Sequence, residues 1–298
     1  MYPSRNLTFA ASSLADLAAD DGTGLAPLSG YSASYSVVGD GPPLVVLPGL
    51  AGGTALLRPL VERLARAFRV FAVELRGEAN PFDIRRRFTA EDLVGDVLEF
   101  LALHQLERPL LLGVSFGGAV ALELASRHAC RIGGLVVQGA DLRFEPTLLR
   151  RVAGDILSGY PLPTDSPFVN QFFNLLFGRK PRDRALADFV IKNCWRTDQA
   201  VMARRFRIAE EIDLTDRLDS IRTPTLLVHG GRDLFVSSKG LAEMISGIPE
   251  AESVELPQAG HLAFVTHATE IALAVERFAQ DVGLLETTTS ALQCDYQA

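Results

Sequence analysis

Gly113-Val114-Ser115-Phe116-Gly117-Gly118 decides how this chain is read. An apolar run at 109–114 precedes it, and a segment of helical periodicity at 116–128 follows. A GxSxG pattern in that setting marks a strand that reverses into a helix within a few residues. Ser115 is then forced into a strained backbone conformation with its hydroxyl thrust out. Side chains at 113 and 117 would collide with the flanking backbone, which is why glycine stands at both. Gly118 lets the helix pack close to the sheet.

The same alternation extends outward in both directions. A half-buried strand pattern at 31–38 and a turn cluster at 39–43 lead into an apolar strand at 44–47. A helix follows at 54–68 with Thr54 as its N-cap, then a strand at 69–75. The helix expected at 89–104 carries Glu91 and Asp92 in its first turn, the sign that suits the helix dipole. A further strand is expected at 131–138. Between 141 and 215 the alternation stops and the pattern is helical. It resumes with strands at 223–229 and 253–256 and helices at 237–248 and 266–282. Continuous apolar strands separated by helices predict an α/β fold, a mostly parallel sheet with helices on both faces. The expected layout is an N-terminal arm at 1–30, a core at 31–140 and 216–282, a helical insertion at 141–215 and a C-terminal tail at 283–298. The insertion leaves from the carboxyl end of a strand, the edge where ligands bind in open α/β sheets.

Composition narrows the function. The chain has 298 residues, 48% hydrophobic and 22% charged, which is globular and long enough to bury a sizeable core. A formal net charge of −7 gives no overall field to attract nucleic acid. Cys130, Cys194 and Cys294 are odd in number and widely spaced, which speaks against a disulfide framework or a zinc site. No apolar run reaches the roughly 18 residues of a membrane span. Asp16, Asp20 and Asp21 interrupt the N-terminal stretch where a signal peptide would stay apolar. The expectation is a cytoplasmic protein without metal or cofactor, acting on neither nucleic acid nor membrane.

Serine is a weak nucleophile at neutral pH and needs a base. The five histidines are His104, His128, His229, His261 and His267. His104 and His128 fall at helix ends and read as solvated. Gly260-His261 follows a strand after a short loop, and Asp233 lies just past the strand at 223–229 in the Gly-rich turn Gly230-Gly231-Arg232-Asp233. Strand ends thus deliver Ser115, Asp233 and His261 to one sheet edge. His261 would take the Ser115 proton and Asp233 would orient the imidazole. Asp141, past the preceding strand, is a rival acid. His229 reads as a brace for the Asp233 loop and His267 as a surface residue. For an oxyanion, the Phe116 amide at a helix N-terminus is the first donor expected, and the Leu50 amide in Pro48-Gly49-Leu50-Ala51-Gly52-Gly53 the second.

With LVVLPGLAGG (44–53), VELRGEAN (73–80), GVSFGG (113–118), LLVHGGRD (226–233) and QAGH (258–261), the chain resembles the lid-bearing branch of the α/β-hydrolase superfamily over most of 31–282. Two positions depart from it. Pro48-Gly49 stands where members often have His-Gly, so an imidazole that commonly braces the oxyanion loop is missing. Arg76-Gly77-Glu78-Ala79-Asn80 lacks the usual second His or Ser. The resemblance implies a helical lid at 141–215 over the site. That stretch holds seven of the 17 Phe (Phe144, Phe168, Phe172, Phe173, Phe177, Phe189, Phe206) and Trp195. It also has 12 basic against 10 acidic residues. A positive roof, with Arg85-Arg86-Arg87 nearby, would suit an anionic or carrier-bound acyl substrate. The implied function is a cofactor-free serine hydrolase of an ester or related acyl bond. A lyase, an acyltransferase, a C–C bond hydrolase or a non-catalytic binding protein on the same fold stay open.

Overall fold

The computed structural model describes residues 22–78, 88–144, 152, 154, 167–179 and 183–286, with the backbone alone at 167–170. Residues 1–21 of the expected arm, the Arg85–Arg87 run, the Phe168 side chain and the tail beyond 286 lie outside the described residues.

Eight strands form one sheet. They are Gly22–Leu28 (β1), Tyr31–Val38 (β2), Pro43–Leu47 (β3), Arg69–Val73 (β4), Leu110–Val114 (β5), Gly134–Gln138 (β6), Thr225–Gly230 (β7) and Ala251–Leu256 (β8). Their order is β1-β2-β4-β3-β5-β6-β7-β8. β4, β3, β5, β6, β7 and β8 are mutually parallel. β1 and β2 run antiparallel at one edge. The helices are Gly53–Leu64 (α1), Ala90–Leu103 (α2), Phe116–His128 (α3), Pro167–Leu176 (α4), Arg184–Cys194 (α5), Gln199–Glu211 (α6), Ser238–Gly247 (α7), Ala263–Thr266 (α8) and Ala268–Asp281 (α9).

The central strands are apolar throughout because both faces are covered. Leu44 and Val46 of β3 pack with Leu60 and Leu64 of α1 and with Ile271 and Val275 of α9. Val45 and Leu47 face the opposite layer, with Leu93 and Val97 of α2 and Val120 and Leu124 of α3. Each such side chain contributes roughly 1.5–3 kcal/mol by leaving water. The three helices α4, α5 and α6 all fall between β6 and β7. At the base of this stretch Arg143 bridges Asp213, and the Leu214 amide donates to Leu142 O at 3.0 Å.

Several local expectations change. Residues 22–28, expected in the arm, pair with β2 as an edge strand, burying Ala26 and Leu28. Pro27 is tolerated there because an edge strand needs no donor on its outer side. Thr54 does not cap α1. The cap is Gly52 at φ 85°, and the Thr54 amide and hydroxyl both donate to Glu74 Oε1, at 2.9 and 2.7 Å. Thr89 does cap α2, through a reciprocal box with Asp92. The helix expected at 266–282 is α9, and a separate short helix, α8, precedes it with His267 between them. His104 is no solvated helix end. Its ring sits 4.4 Å from Phe100 and 4.7 Å from Tyr35, with Nε2 buried and unpartnered.

Candidate active site

The β5–α3 turn has the backbone that its glycines announced. Ser115 sits at φ 51° and ψ −113°, outside the ordinary regions for an L-residue. A Cβ at Gly113 would lie 2.4 Å from Gly117 O, and one at Gly117 would lie 2.5 Å from Pro48 O. The turn is pinned by the Ser115 amide donating to Gln138 O at 2.7 Å.

The sheet edge brings the three distant residues together. Ser115 Oγ is 2.9 Å from His261 Nε2, and His261 Nδ1 is 2.9 Å from Asp233 Oδ2. Asp233 Oδ1 accepts from the amides of Phe235 at 2.7 Å and Val236 at 3.3 Å. Burial by itself raises the Asp233 carboxyl. The His261 charge, its hydrogen bond and the two amides outweigh that and hold the group below the usual carboxylate range. Both side chains are nearly closed off, 2% exposed for Asp233 and 11% for His261. The His261 loop is in turn clamped by α4. Leu262 N donates to Leu176 O at 3.2 Å, and Gly260 approaches Phe177 and Gly178 so closely that a Cβ would overlap their backbone.

The rival groups are engaged elsewhere. Asp141 Oδ2 accepts from the Ser237 amide at 3.0 Å, and Oδ1 accepts from the Leu142 amide at 2.9 Å. Its carboxylate thus lies over the first turn of α7, where helix amides favour negative charge. His229 forms no hydrogen bond to the Asp233 turn among the described residues. That turn is held by backbone bonds instead, Asp233 N to Gly230 O at 3.0 Å and Arg232 N to Ala259 O at 2.9 Å. His267 is half-buried and faces Thr266 Oγ1 at 2.8 Å rather than open solvent.

Leu50 and Phe116 line the same cavity as Ser115. Neither amide donates to an acceptor among the described residues. The cavity is about 260 Å³ and its wall is mostly apolar. Of the aromatic residues singled out in 141–215, Phe144, Phe172, Phe173, Phe206 and Trp195 line it. Phe177 and Phe189 pack into the core instead. Arg143 is the one lysine or arginine among the described lining residues, and Glu243 holds it through two bonds, at 2.6 and 3.2 Å.

Sequence reading missed a polar cluster behind the oxyanion loop. Arg205 of α6 is fully buried and donates to Glu78 Oε2 at 2.9 Å, Leu50 O at 3.1 Å, Leu75 O at 3.0 Å and Arg76 O at 3.0 Å. Thr197 Oγ1 donates to Glu78 Oε1 at 2.5 Å and accepts from Gly52 N at 2.8 Å. Glu74 lies alongside. Burial lifts its carboxyl above the usual range, opposed by the Thr54 hydrogen bond and aided by Glu78. A signal for Arg205 was present. It falls in the apolar stripe Val201, Arg205, Ile208, Ile212, where helical spacing leaves no route to water.

Known proteins share this fold. Over 263 residues the chain is 26% identical to a pimeloyl-[acyl-carrier protein] methyl ester esterase of Vibrio atlanticus, covering 83% of this chain and 97% of that one. It is 27% identical over 259 residues to the enzyme of the same name from Aeromonas hydrophila, covering 83% and 99%. Among solved structures, a hydrolase from Pseudomonas aeruginosa superposes with a TM-score of 0.74 at 24% identity, covering 88% of this chain and 98% of that one. An enol-lactonase from Burkholderia xenovorans gives 0.71 at 23%, covering 86% and 100%. The family model for the alpha/beta hydrolase fold matches residues 42–268. The chain therefore belongs to the alpha/beta hydrolase fold family.

Proposed function

We propose that this protein is a serine esterase acting on a neutral acyl ester through Ser115, His261 and Asp233. One observation carries the reading. The linked hydrogen bonds from Ser115 Oγ through His261 to Asp233 open onto an apolar cavity beside two unengaged amides. In the proposed sequence Ser115 Oγ attacks the ester carbonyl carbon while its proton passes to His261 Nε2. The carbonyl oxygen, now an oxyanion, is held by the amides of Leu50 and Phe116. His261 returns the proton to the departing alkoxide, which leaves as the alcohol. Water then attacks the acyl-Ser115 ester and gives its proton to His261, which passes it to Ser115 Oγ as that oxygen leaves and the acid is released. Asp233 fixes the imidazole tautomer and offsets its transient charge.

The wall chemistry supports an uncharged chain. Arg143, the one lysine or arginine among the described lining residues, is already paired with Glu243 and so offers the cavity little net attraction for an anion. We infer that α4, α5 and α6 act as the lid. The relatives' name supports a carrier-bound acyl methyl ester as one such substrate. The free thiols Cys130 and Cys194 support a cytoplasmic setting. No helix among the described residues is long and apolar enough to cross a membrane.

The test compares wild type and Ser115→Ala on p-nitrophenyl hexanoate and on the matching ester of a dicarboxylic acid carrying a free carboxylate. Wild type should hydrolyse the neutral ester faster and Ser115→Ala neither. Turnover surviving in Ser115→Ala would remove Ser115 from the mechanism, and a preference for the charged ester would overturn the neutral-chain reading.

A further inference from the structure

Loop 48–53, which carries the Leu50 amide, receives two polar contacts from the helical insertion. The Leu50 carbonyl accepts from Arg205 Nη1 at 3.1 Å, and the Gly52 amide donates to Thr197 Oγ1 at 2.8 Å. Both contacts converge on one carboxylate. Glu78 takes Arg205 on Oε2 and Thr197 on Oε1. Arg205 also binds the Leu75 and Arg76 carbonyls, so the β4 loop is locked into the same unit. Loop 48–53 has Pro48-Gly49 and therefore no histidine of its own to hold it. The helix that supplies Arg205 also presents Met202, Phe206 and Ala209 to the cavity wall.

We propose that Arg205, with Glu78 and Thr197, is the positioning network of the oxyanion site. It fixes the Leu50–Ala51 peptide from behind, so that the preceding amide, Leu50 N–H, faces the carbonyl attacked by Ser115. The guanidinium suits this task because its planar fork serves a carboxylate and several carbonyls at once, which an ammonium cannot do. The wall of the acyl cavity and the brace of the oxyanion loop are thus built on one helix. The proposal rests on Leu50 being an oxyanion donor and on the Ser115 mechanism above.

The experiment measures kcat and KM on p-nitrophenyl hexanoate, and the affinity for a hexyl trifluoromethyl ketone, for wild type, Ser115→Ala, Arg205→Lys, Thr197→Val and Thr197→Ser. The ketone accepts the Ser115 oxygen at its carbonyl carbon, the serine proton goes to His261, and the ketone oxygen becomes an oxyanion. The matching secondary alcohol fills the cavity without forming one. Arg205→Lys should lower kcat by about 10²-fold, the scale of a misplaced catalytic group, with KM nearly unchanged. Thr197→Val should lower it by about tenfold, the value of one lost hydrogen bond, and Thr197→Ser should recover most of that. Ketone affinity should fall in step with kcat, while alcohol affinity stays. If Arg205→Lys fails to fold, the Thr197 pair decides alone. Full kcat and ketone affinity in the folded variants, with Ser115→Ala inactive, overturn this proposal and leave the esterase reading standing. So does a loss that affects ketone and alcohol alike. Activity in Ser115→Ala overturns the Ser115 mechanism itself.

Discussion

At the scale of single residues, the site rests on a division of labour between two carboxylates. Asp233 and Asp141 both follow strand ends on the same edge, and sequence alone leaves them as rivals. The structure separates them by what else they hold. Asp233 faces His261 Nδ1, whereas Asp141 takes the amides of Ser237 and Leu142. Asp233→Asn should therefore cost kcat about 10⁴-fold, because the amide favours the wrong imidazole tautomer. Asp141→Asn should leave turnover within a small factor and cost roughly 0.3–1 kcal/mol of stability through α7. Steady-state rates and urea midpoints of the two variants check this, and the reverse ranking in kcat would reassign the acid. The meeting of Ser115, Asp233 and His261 was legible because each follows a strand end in a short turn that contains glycine. Glu78 and Thr197 were not, and Arg205 was marked only by its place in an apolar stripe. Their partners are mostly backbone carbonyls and amides on loops 119 to 155 residues away in sequence, and backbone groups leave no mark on residue identity.

At the scale of elements, periodicity located the parallel strands well and failed where the pattern was short or mixed. β1 was hidden by its composition, GTGLAPL, in which only Ala26 and Leu28 are buried. The α1 cap was misread because Thr54 looks outward to Glu74 from a helix that a left-handed glycine already starts. His104 was misread because its neighbours come from three elements. Tyr35 of β2, Phe71 of β4 and Phe100 of α2 close around the ring. Burial, with the Arg69 charge adding to it, pushes the imidazole below its ordinary value. The unfolded chain therefore binds a proton near pH 6.5 that the folded ring refuses, so stability falls as pH drops below that value. His229 and His267 are shifted the same way and share the window. His104→Phe, which keeps the aromatic packing, should shrink the difference in urea midpoint between pH 7 and pH 5. An unchanged difference would mean that His104 is not held neutral.

At the scale of the whole molecule, the parallel sheet is a scaffold whose carboxyl edge gathers Ser115, Asp233 and His261, and described residues of the stretch between β6 and β7 line the cavity beside them. The helical character of that stretch was legible in the loss of alternation, and its aromatic content in a concentration of phenylalanine. Which rings face the cavity was not, since Phe144 and Phe206 line it while Phe177 and Phe189 fill the core. Of the basic residues of 141–215, Arg143 and Arg205 are paired with Glu243 and Glu78. What unites the three scales is the proposed nucleophile, the Ser115 hydroxyl, on a backbone strained at φ 51° and 2.9 Å from His261 Nε2. Intact-mass analysis after treatment with an alkyl fluorophosphonate, followed by peptide mapping, tests it most directly. The expected result is a single adduct on Ser115 that forms quickly in wild type and far more slowly in His261→Ala. An unmodified Ser115, or an adduct formed at the same rate without His261, would contradict it.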